Sequence, residues 1–350
     1  MSTPIRFGVL SFAHYHAEFW AEAVANHPEA RLAGVWDEDR SRGEAAAARH
    51  GTRYFAELNA LLRECDAVGV TSETARHADL VEEAARAGVH ILCEKPMAAT
   101  LADCDRIQRA VEASGVVFMQ NFPKRFDPVN LDLVARVRRG DLGHVVLVRI
   151  RHGHGRGHQP EFLRQWFVDP DLAGGGALLD EGVHAADFLL WLLGPPEQVT
   201  AVVSHRALGL RAEDTAAAIF TFPEGSLAEV VTSWSFAAAE QSIEVYGTEG
   251  TALLSGVDLA SRDFACPPHL KVFRRGGTVG TWEPSPATTT FGGQRFHQSG
   301  PRHFIECLRG GRQPQLGVEE GRRAVEMVLA AYRAAASGRS ESVVFARAPR

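Results

Sequence analysis

The sequence has no C-x-x-C pair, no block of lysine and arginine, and no apolar run approaching the ~18 residues of a membrane span. Its five cysteines, Cys65, Cys93, Cys104, Cys266 and Cys307, are an odd number at irregular spacing. That argues against a disulfide framework and fits the reduced thiols of a cytoplasm. With a net charge of -6 and no interleaving of aromatic and basic residues, the chain offers no field to hold a polyanion, so nucleic acid is not an expected partner. The short apolar run from Phe7 to Ala13 meets His14 and His16 at once and lacks a charged n-region and a cleavage site, so no leader is expected there. What remains is a cytoplasmic protein with a small-molecule partner.

The 350 residues, 45% hydrophobic and 23% charged, suffice for two domains. From Ile5 to Gln120, short β-rich runs (6–11, 31–36, 67–70, 90–93, 116–120) alternate with amphipathic runs, clearest at 75–87 and 101–113. This is the pattern of an α/β, doubly wound parallel sheet covered on both faces, whose ligands lie beyond the carboxyl ends of the strands. After Phe126-Asp-Pro128 the pattern changes. One helical run (129–139) precedes strand-like segments at 145–151, 216–222, 227–234 and 243–246, with Gly225, Gly247 and Gly250 at expected turns. The expectation is a first domain over 1–124 and a second, α/β domain over 125–350 with an open, mainly antiparallel sheet. The closing helical run, 318–336, is read as packing back on the first domain.

Two motifs carry chemistry. In the first, the apolar strand ending at Cys93 runs into Glu94-Lys95-Pro96, which sets Lys95 at the carboxyl edge of the sheet. Pro96 stops the strand and permits a cis bond that would turn the amine into the crevice. Taken alone, E-K-P fits a surface lysine at a strand end equally well. The second motif runs from Gly174-Gly-Gly to Asp180 and His184. If 177–193 is one helix, Asp180, His184, Asp187 and Trp191 share a face, and the remainder is apolar nearly all round, as in a buried helix. Buried ionisable groups are costly unless paired or used. Asp180 one turn before His184 would orient that ring as a general base, the plainer alternative being a core Asp-His pair.

The first βα turn reads Ser11-Phe12-Ala13-His14-Tyr15-His16 where a dinucleotide fold carries G-x-G-x-x-G. Ser11 and Ala13 are small, but neither takes φ > 0 as freely as glycine. Asp37 follows the second strand, where a carboxylate binds ribose hydroxyls and repels a 2′-phosphate; a solvated turn explains it equally well. His152, His154 and His158 have no second ligand group at zinc spacing, so no metal is expected. The loop from His152 to Asp169, with Arg156, Arg164, Trp166 and Phe167, is read as a cover able to grip a polyhydroxylated ligand.

These residues resemble the Gfo/Idh/MocA oxidoreductases. The resemblance spans nearly the whole chain: Ala75-Arg-His77, the 87–96 segment ending in Glu-Lys-Pro, the 120–128 segment from Gln120-Asn121 through Lys124-Arg125 to Pro128, the 174–187 segment, the 243–250 segment and the 304–311 segment. It implies a Rossmann domain joined to a domain whose open sheet often forms the oligomer contact, hence a homo-oligomer. It places Lys95, Asp180 and His184 on the family's catalytic positions. Cofactor contacts are expected at Ser11, Phe12, Ala13, His14 and His16 in the turn, and at Asp37, Thr71, His77, Glu94, Lys95 and Asn121. Substrate contacts are expected at Lys95, Arg125, His154, Trp166, Asp180 and His184. Two departures stand out: the glycine turn is replaced, and Phe167 follows Trp166 where many relatives carry arginine.

The resemblance implies that NAD, or else NADP, accepts a hydride from a ring carbon of a sugar, glycoside or inositol while His184 takes the hydroxyl proton. Asp180 would orient His184 or the substrate, and Lys95 would bind the reacting oxygen and the nicotinamide ribose. The two motifs are expected to converge on one crevice. Two further readings use the same residues: a lyase or glycosidase that oxidises the ring transiently, and a ligand-sensing regulator without chemistry.

Overall fold

The computed structural model describes residues 3–238, 240–258, 268–275, 280–291 and 295–345; Cys266 lies outside them. The chain forms two compact units, Met1–Pro123 with His297–Arg322, and Lys124–Phe296 with Arg323–Arg350. The part of the C-terminal half that groups with the first unit is thus His297–Arg322.

In the first unit, five parallel strands, β1 (Ile5–Leu10), β2 (Ala30–Trp36), β3 (Ala67–Val70), β4 (His90–Cys93) and β5 (Phe118–Gln120), lie in the order β2-β1-β3-β4-β5. Helices α1 (His16–Ala25), α2 (Arg40–Arg49), α3 (Leu58–Leu62), α4 (His77–Arg86) and α5 (Leu101–Ser114) connect them. Every residue of β3 is buried, as in a strand covered on both faces. Trp20 of α1 packs so close over β3 that a Cβ on Gly69 would lie 2.8 Å from its ring. α5 starts at Thr100, whose hydroxyl accepts from the Asp103 amide, and stops at Gly115 in the left-handed region (φ 69°).

The second unit begins with α6 (Pro128–Arg138), β6 (Val145–Gly153) and three 3-10 turns between Arg156 and Val168. Then follow α7 (Pro170–Ala173), α8 (Ala177–Asp180) and α9 (Gly182–Leu193), and the strands β7 (Gln198–Ser204), β8 (Thr215–Thr221), β9 (Leu227–Ser233), β10 (Glu240–Gly247), β11 (Gly250–Asp258), β12 (Leu270–Arg274) and β13 (Thr281–Pro284). Helices α10 (Arg295–Arg309) and α11 (Val318–Ser337) and the short β14 (Glu341–Ser342) close the chain. The described strands form one mixed sheet, β13-β12-β11-β10-β6-β9-β8-β7-β14, antiparallel except for the parallel pair β6 and β9. Alternating burial along β8 shows a sheet with one covered face.

One expectation is corrected. The apolar run 177–193 is not one helix, because α8 ends at Asp180 and α9 begins at Gly182. Asp180 and His184 therefore flank the corner between two helices instead of sitting one turn apart on a continuous helix. The N–H groups at the start of α8 are satisfied from elsewhere in the unit. The Glu213 carbonyl takes Ala177 N–H at 2.9 Å, its carboxylate takes Leu178 N–H at 2.9 Å, and the Tyr332 hydroxyl takes Gly176 and Leu179 N–H at 3.1 and 3.2 Å. This dense cap fixes where the helix begins.

Candidate functional site

In the first unit the turn after β1 adopts the conformation that its sequence makes expensive. Ser11 has φ 74°, the left-handed region where glycine is usual. Three neighbours hold it there. Thr71 donates to the Ser11 carbonyl at 2.7 Å, Arg42 donates to Ser11 Oγ at 3.3 Å, and Ser11 Oγ accepts the Ala13 N–H at 3.1 Å. Beneath the turn, Asp37 accepts from Phe12 N–H at 2.7 Å, from Asp39 N–H at 3.0 Å, and from the Arg42 fork at 2.7 and 2.9 Å. The Asp37 side chain is 0% exposed. Asp37 thus braces the turn, both of its oxygens accepting from protein donors. Thr71 is likewise occupied.

A cavity of about 350 Å³ opens beside this turn, lined by Ser11, Trp36, Glu38, Leu58, Ser72, Glu73 and Arg76 among others. These residues follow or end β1, β2 and β3, so the cavity lies at their carboxyl ends, where doubly wound folds take nucleotides. Arg76 pairs there with Glu38 and, at 3.7 Å, with Glu73. A left-handed turn leading into α1, beside a cavity of this size, fits a dinucleotide.

Farther along the same edge, Glu94 is fully buried, and burial raises its pKa. Its carboxylate meets His16 Nδ1 at 3.1 Å and the Asn121 amide at 3.0 Å. The Lys95–Pro96 bond is cis, and Lys95 is buried. His77 spans the Pro96 carbonyl (2.9 Å) and the Ser72 carbonyl (3.2 Å), tying α4 to the Glu-Lys-Pro turn. Burial lowers its pKa, and a neutral ring donates through one nitrogen only. His14 Nδ1 accepts the His16 N–H at 3.1 Å, so this imidazole caps the first turn of α1, and burial holds its pKa well below the usual histidine value.

In the second unit, Asp180 Oδ2 accepts the Trp234 indole N–H at 3.0 Å. Trp234 belongs to a core of Phe162, Phe167, Ala177 and Ala212, against which Trp166 packs. The expected cover loop therefore contributes Phe162 and Phe167 to a packed core. At the break between α8 and α9, Glu181 stands between two imidazoles, His152 Nε2 at 2.9 Å and His154 Nε2 at 3.5 Å. His184 is buried, with its ring 5.1 Å from that of His152. The Arg125 fork grips Asp187 at 2.9 and 2.7 Å and lies over Trp191.

Lys124, one residue earlier, escaped the sequence reading. It is 3% exposed, and burial lowers its pKa to about 8. A compositional signal was there to find: of 37 lysines and arginines only three are lysines, Lys95, Lys124 and Lys271. Lys271 is exposed beside Trp282, whereas the other two are buried at the two places where the motifs sit.

Two clusters have ligand atoms close enough for an ion, His14, His16 and Glu94 in the first unit, and His154, Asp180 and Glu181 in the second. Hydrogen bonding argues against both. His14 Nδ1 accepts the His16 N–H, and His154 Nδ1 accepts the Arg156 N–H at 3.2 Å. Each neutral ring must then carry its proton on Nε2, leaving that ring no lone pair for a metal.

Comparison with known proteins agrees with this architecture. Residues 5–122 match the family model described as an oxidoreductase family with an NAD-binding Rossmann fold, and residues 131–253 match the GFO/IDH/MocA C-terminal domain. Inositol 2-dehydrogenase 1 of Saccharopolyspora erythraea is 30% identical over 79% of this chain and 78% of its own. D-apiose dehydrogenase of Paraburkholderia graminis is 28% identical over 95% and 87%. The aldose-aldose oxidoreductase of Caulobacter crescentus, solved with glycerol, superposes with a TM-score of 0.81 at 26% identity, covering 97% of this chain and 99% of its own. The first unit is a Rossmann domain that takes NAD or NADP, and the chain belongs to the Gfo/Idh/MocA oxidoreductase family.

Proposed function

We propose that this protein is an NAD-dependent dehydrogenase that oxidises a ring secondary alcohol of a sugar, glycoside or cyclitol, with Lys95, Asp180 and His184 as its catalytic groups. The observation that carries the reading is the corner between α8 and α9, which buries Glu181 and His184 and half-buries Asp180 in an otherwise apolar stretch. Ionisable groups survive there only if they are paired or used. His184 takes the hydroxyl proton as the C–H pair leaves as hydride, so the alcohol becomes a ketone with two electrons lost. Asp180, steadied by the Trp234 indole, orients His184 or a substrate hydroxyl. Lys95 holds the reacting oxygen. When bound, oxidised nicotinamide supplies the hydride acceptor. Relatives named inositol 2-dehydrogenase and D-apiose dehydrogenase, and one solved with glycerol, support a polyol substrate.

Ser11 at positive φ removes the main argument for a sensor without chemistry, because the turn is formed without glycine. The test is a panel of sugars, glycosides and inositols scored for reduction of NAD and NADP. A positioned general base contributes ~10²–10⁴ in rate, so His184→Ala lowers kcat by that order while the NAD dissociation constant stays within about twofold. A variant that turns over at the wild-type rate refutes the assignment. The same reading includes a homo-oligomer formed through the open sheet of the second unit.

A further inference from the structure

Lys124 is the second residue of the 3-10 turn Pro123–Phe126 and is more deeply buried than the neighbouring Arg125. Its amine is surrounded by acidic groups that do not hold it. Asp127, Glu181 and Asp187 all act on it electrostatically, yet among the described residues none comes within the 4.0 Å of an ion pair, and no hydrogen bond to the amine is formed. Each of these carboxylates is committed to other donors. Asp127 takes the Thr290 N–H at 2.7 Å and the Thr289 and Thr290 hydroxyls. Glu181 takes His152 and His154, and Asp187 takes the Arg125 fork.

The amine nitrogen is not sealed from solvent, so its three donors, which find no acceptor among the described residues, are open to a ligand. Elsewhere the chain has turned almost every cation into arginine, whose planar fork would suit Asp187 as Arg125 does. An amine kept here instead of a guanidinium argues for a compact point donor. Its surroundings also select the acceptor. Three carboxylates around one free cation repel an anion but tolerate a neutral oxygen.

We infer that Lys124 is a substrate-binding residue whose ammonium donates to hydroxyl oxygens of a neutral polyol, at carbons other than the one oxidised. This rests on the dehydrogenase reading for the identity of the site, but its test stands apart from turnover. With only three lysines, the amines can be followed individually by mass spectrometry after reductive methylation of the intact wild-type protein at pH 8. The expected result is that Lys124 is methylated faster than Lys271, and that D-xylose, D-glucose or myo-inositol at saturating concentration, with NAD present, slows Lys124 and leaves Lys271 unchanged. A Lys124 rate unaffected by every member of that panel overturns the proposal, whether or not any of them is oxidised. Where a polyol is oxidised, Lys124→Met should raise its KM about 10- to 100-fold, as expected for loss of a hydrogen bond to a charged group, with kcat reduced less and the NAD dissociation constant unchanged. A KM equal to the wild type's also overturns it. Should the panel give no reduction of NAD or NADP while Lys124 is still protected, the dehydrogenase reading fails and the polyol site stands.

Discussion

A residue kept for a ligand weakens the protein without it, and Lys124 makes that measurable. In the folded state its pKa falls from the ordinary 10.5 to about 8 through burial. Between pH 8 and 10.5 the unfolded chain holds a proton that the folded chain has shed, so stability rises with pH across that window and the penalty is full below it. The drop corresponds to about 3 kcal/mol. Lys124→Met is therefore expected to unfold at higher urea than the wild type at pH 7, with the gap closing as the pH approaches 10; equal midpoints at pH 7 would contradict the assigned burial cost. Such a residue shows in composition and not in motif, since only the scarcity of lysine singles it out. Ser11 teaches the complementary lesson. Its place in the turn follows from the sequence, but its tolerance of φ 74° depends on Thr71, Asp37 and Arg42, which approach it only in the fold. The spacing that suggested a ribose role for Asp37 did not register Arg42, five residues on, which takes both of its oxygens.

Among the elements, the parallel strands of the first unit were legible because buried strands read as unbroken apolar runs bounded by helices. The break between α8 and α9 was not, since apolar periodicity runs straight across it. Gly182 was the available signal, a glycine inside a helical pattern, but the break is made by tertiary caps. Four N–H groups at the start of α8 end on Glu213 and Tyr332, residues 35 and more positions away in the chain. Tyr332 also donates to the Glu213 carboxylate at 2.7 Å, which completes the cap. Tyr332→Phe removes the acceptor of the Gly176 amide, leaving it buried without a partner, and leaves the Leu179 amide only the Gly176 carbonyl at 3.1 Å. The expected cost is about 1–3 kcal/mol in urea unfolding, and a loss below about 0.5 kcal/mol would show that α8 holds its start without the hydroxyl.

At the scale of the whole molecule, the second unit's sheet keeps one face uncovered. On that face Thr200 of β7 opposes Ile219 of β8, and Ile219 opposes Glu229 of β9, so Val202, Ile219 and Leu227 lie together; they are 66%, 52% and 43% exposed. Beside them runs a polar ladder in which Arg149 bridges Glu229 at 2.7 Å and Glu244 at 3.5 Å, and the Tyr246 hydroxyl donates to Glu244 at 2.6 Å. Large aliphatic side chains this exposed on a regular sheet, next to a ladder of one arginine and two glutamates, make a flat surface of the kind through which the proposed homo-oligomer would form by two-fold symmetry. Ile219 is the place to test it, since it sits between the other two and has Glu229 across the strand. Ile219→Lys leaves the unit's own core untouched, and the new charge can pair with Glu229 when the face is open to water. It is buried without such freedom when the face is covered. Light scattering on the intact protein should therefore show the wild type as an oligomer and Ile219→Lys shifted to a smaller species with an unchanged unfolding midpoint at low protein concentration. A variant of the same mass as an oligomeric wild type would move the contact to another surface, and a monomeric wild type would remove the oligomer from the proposed function.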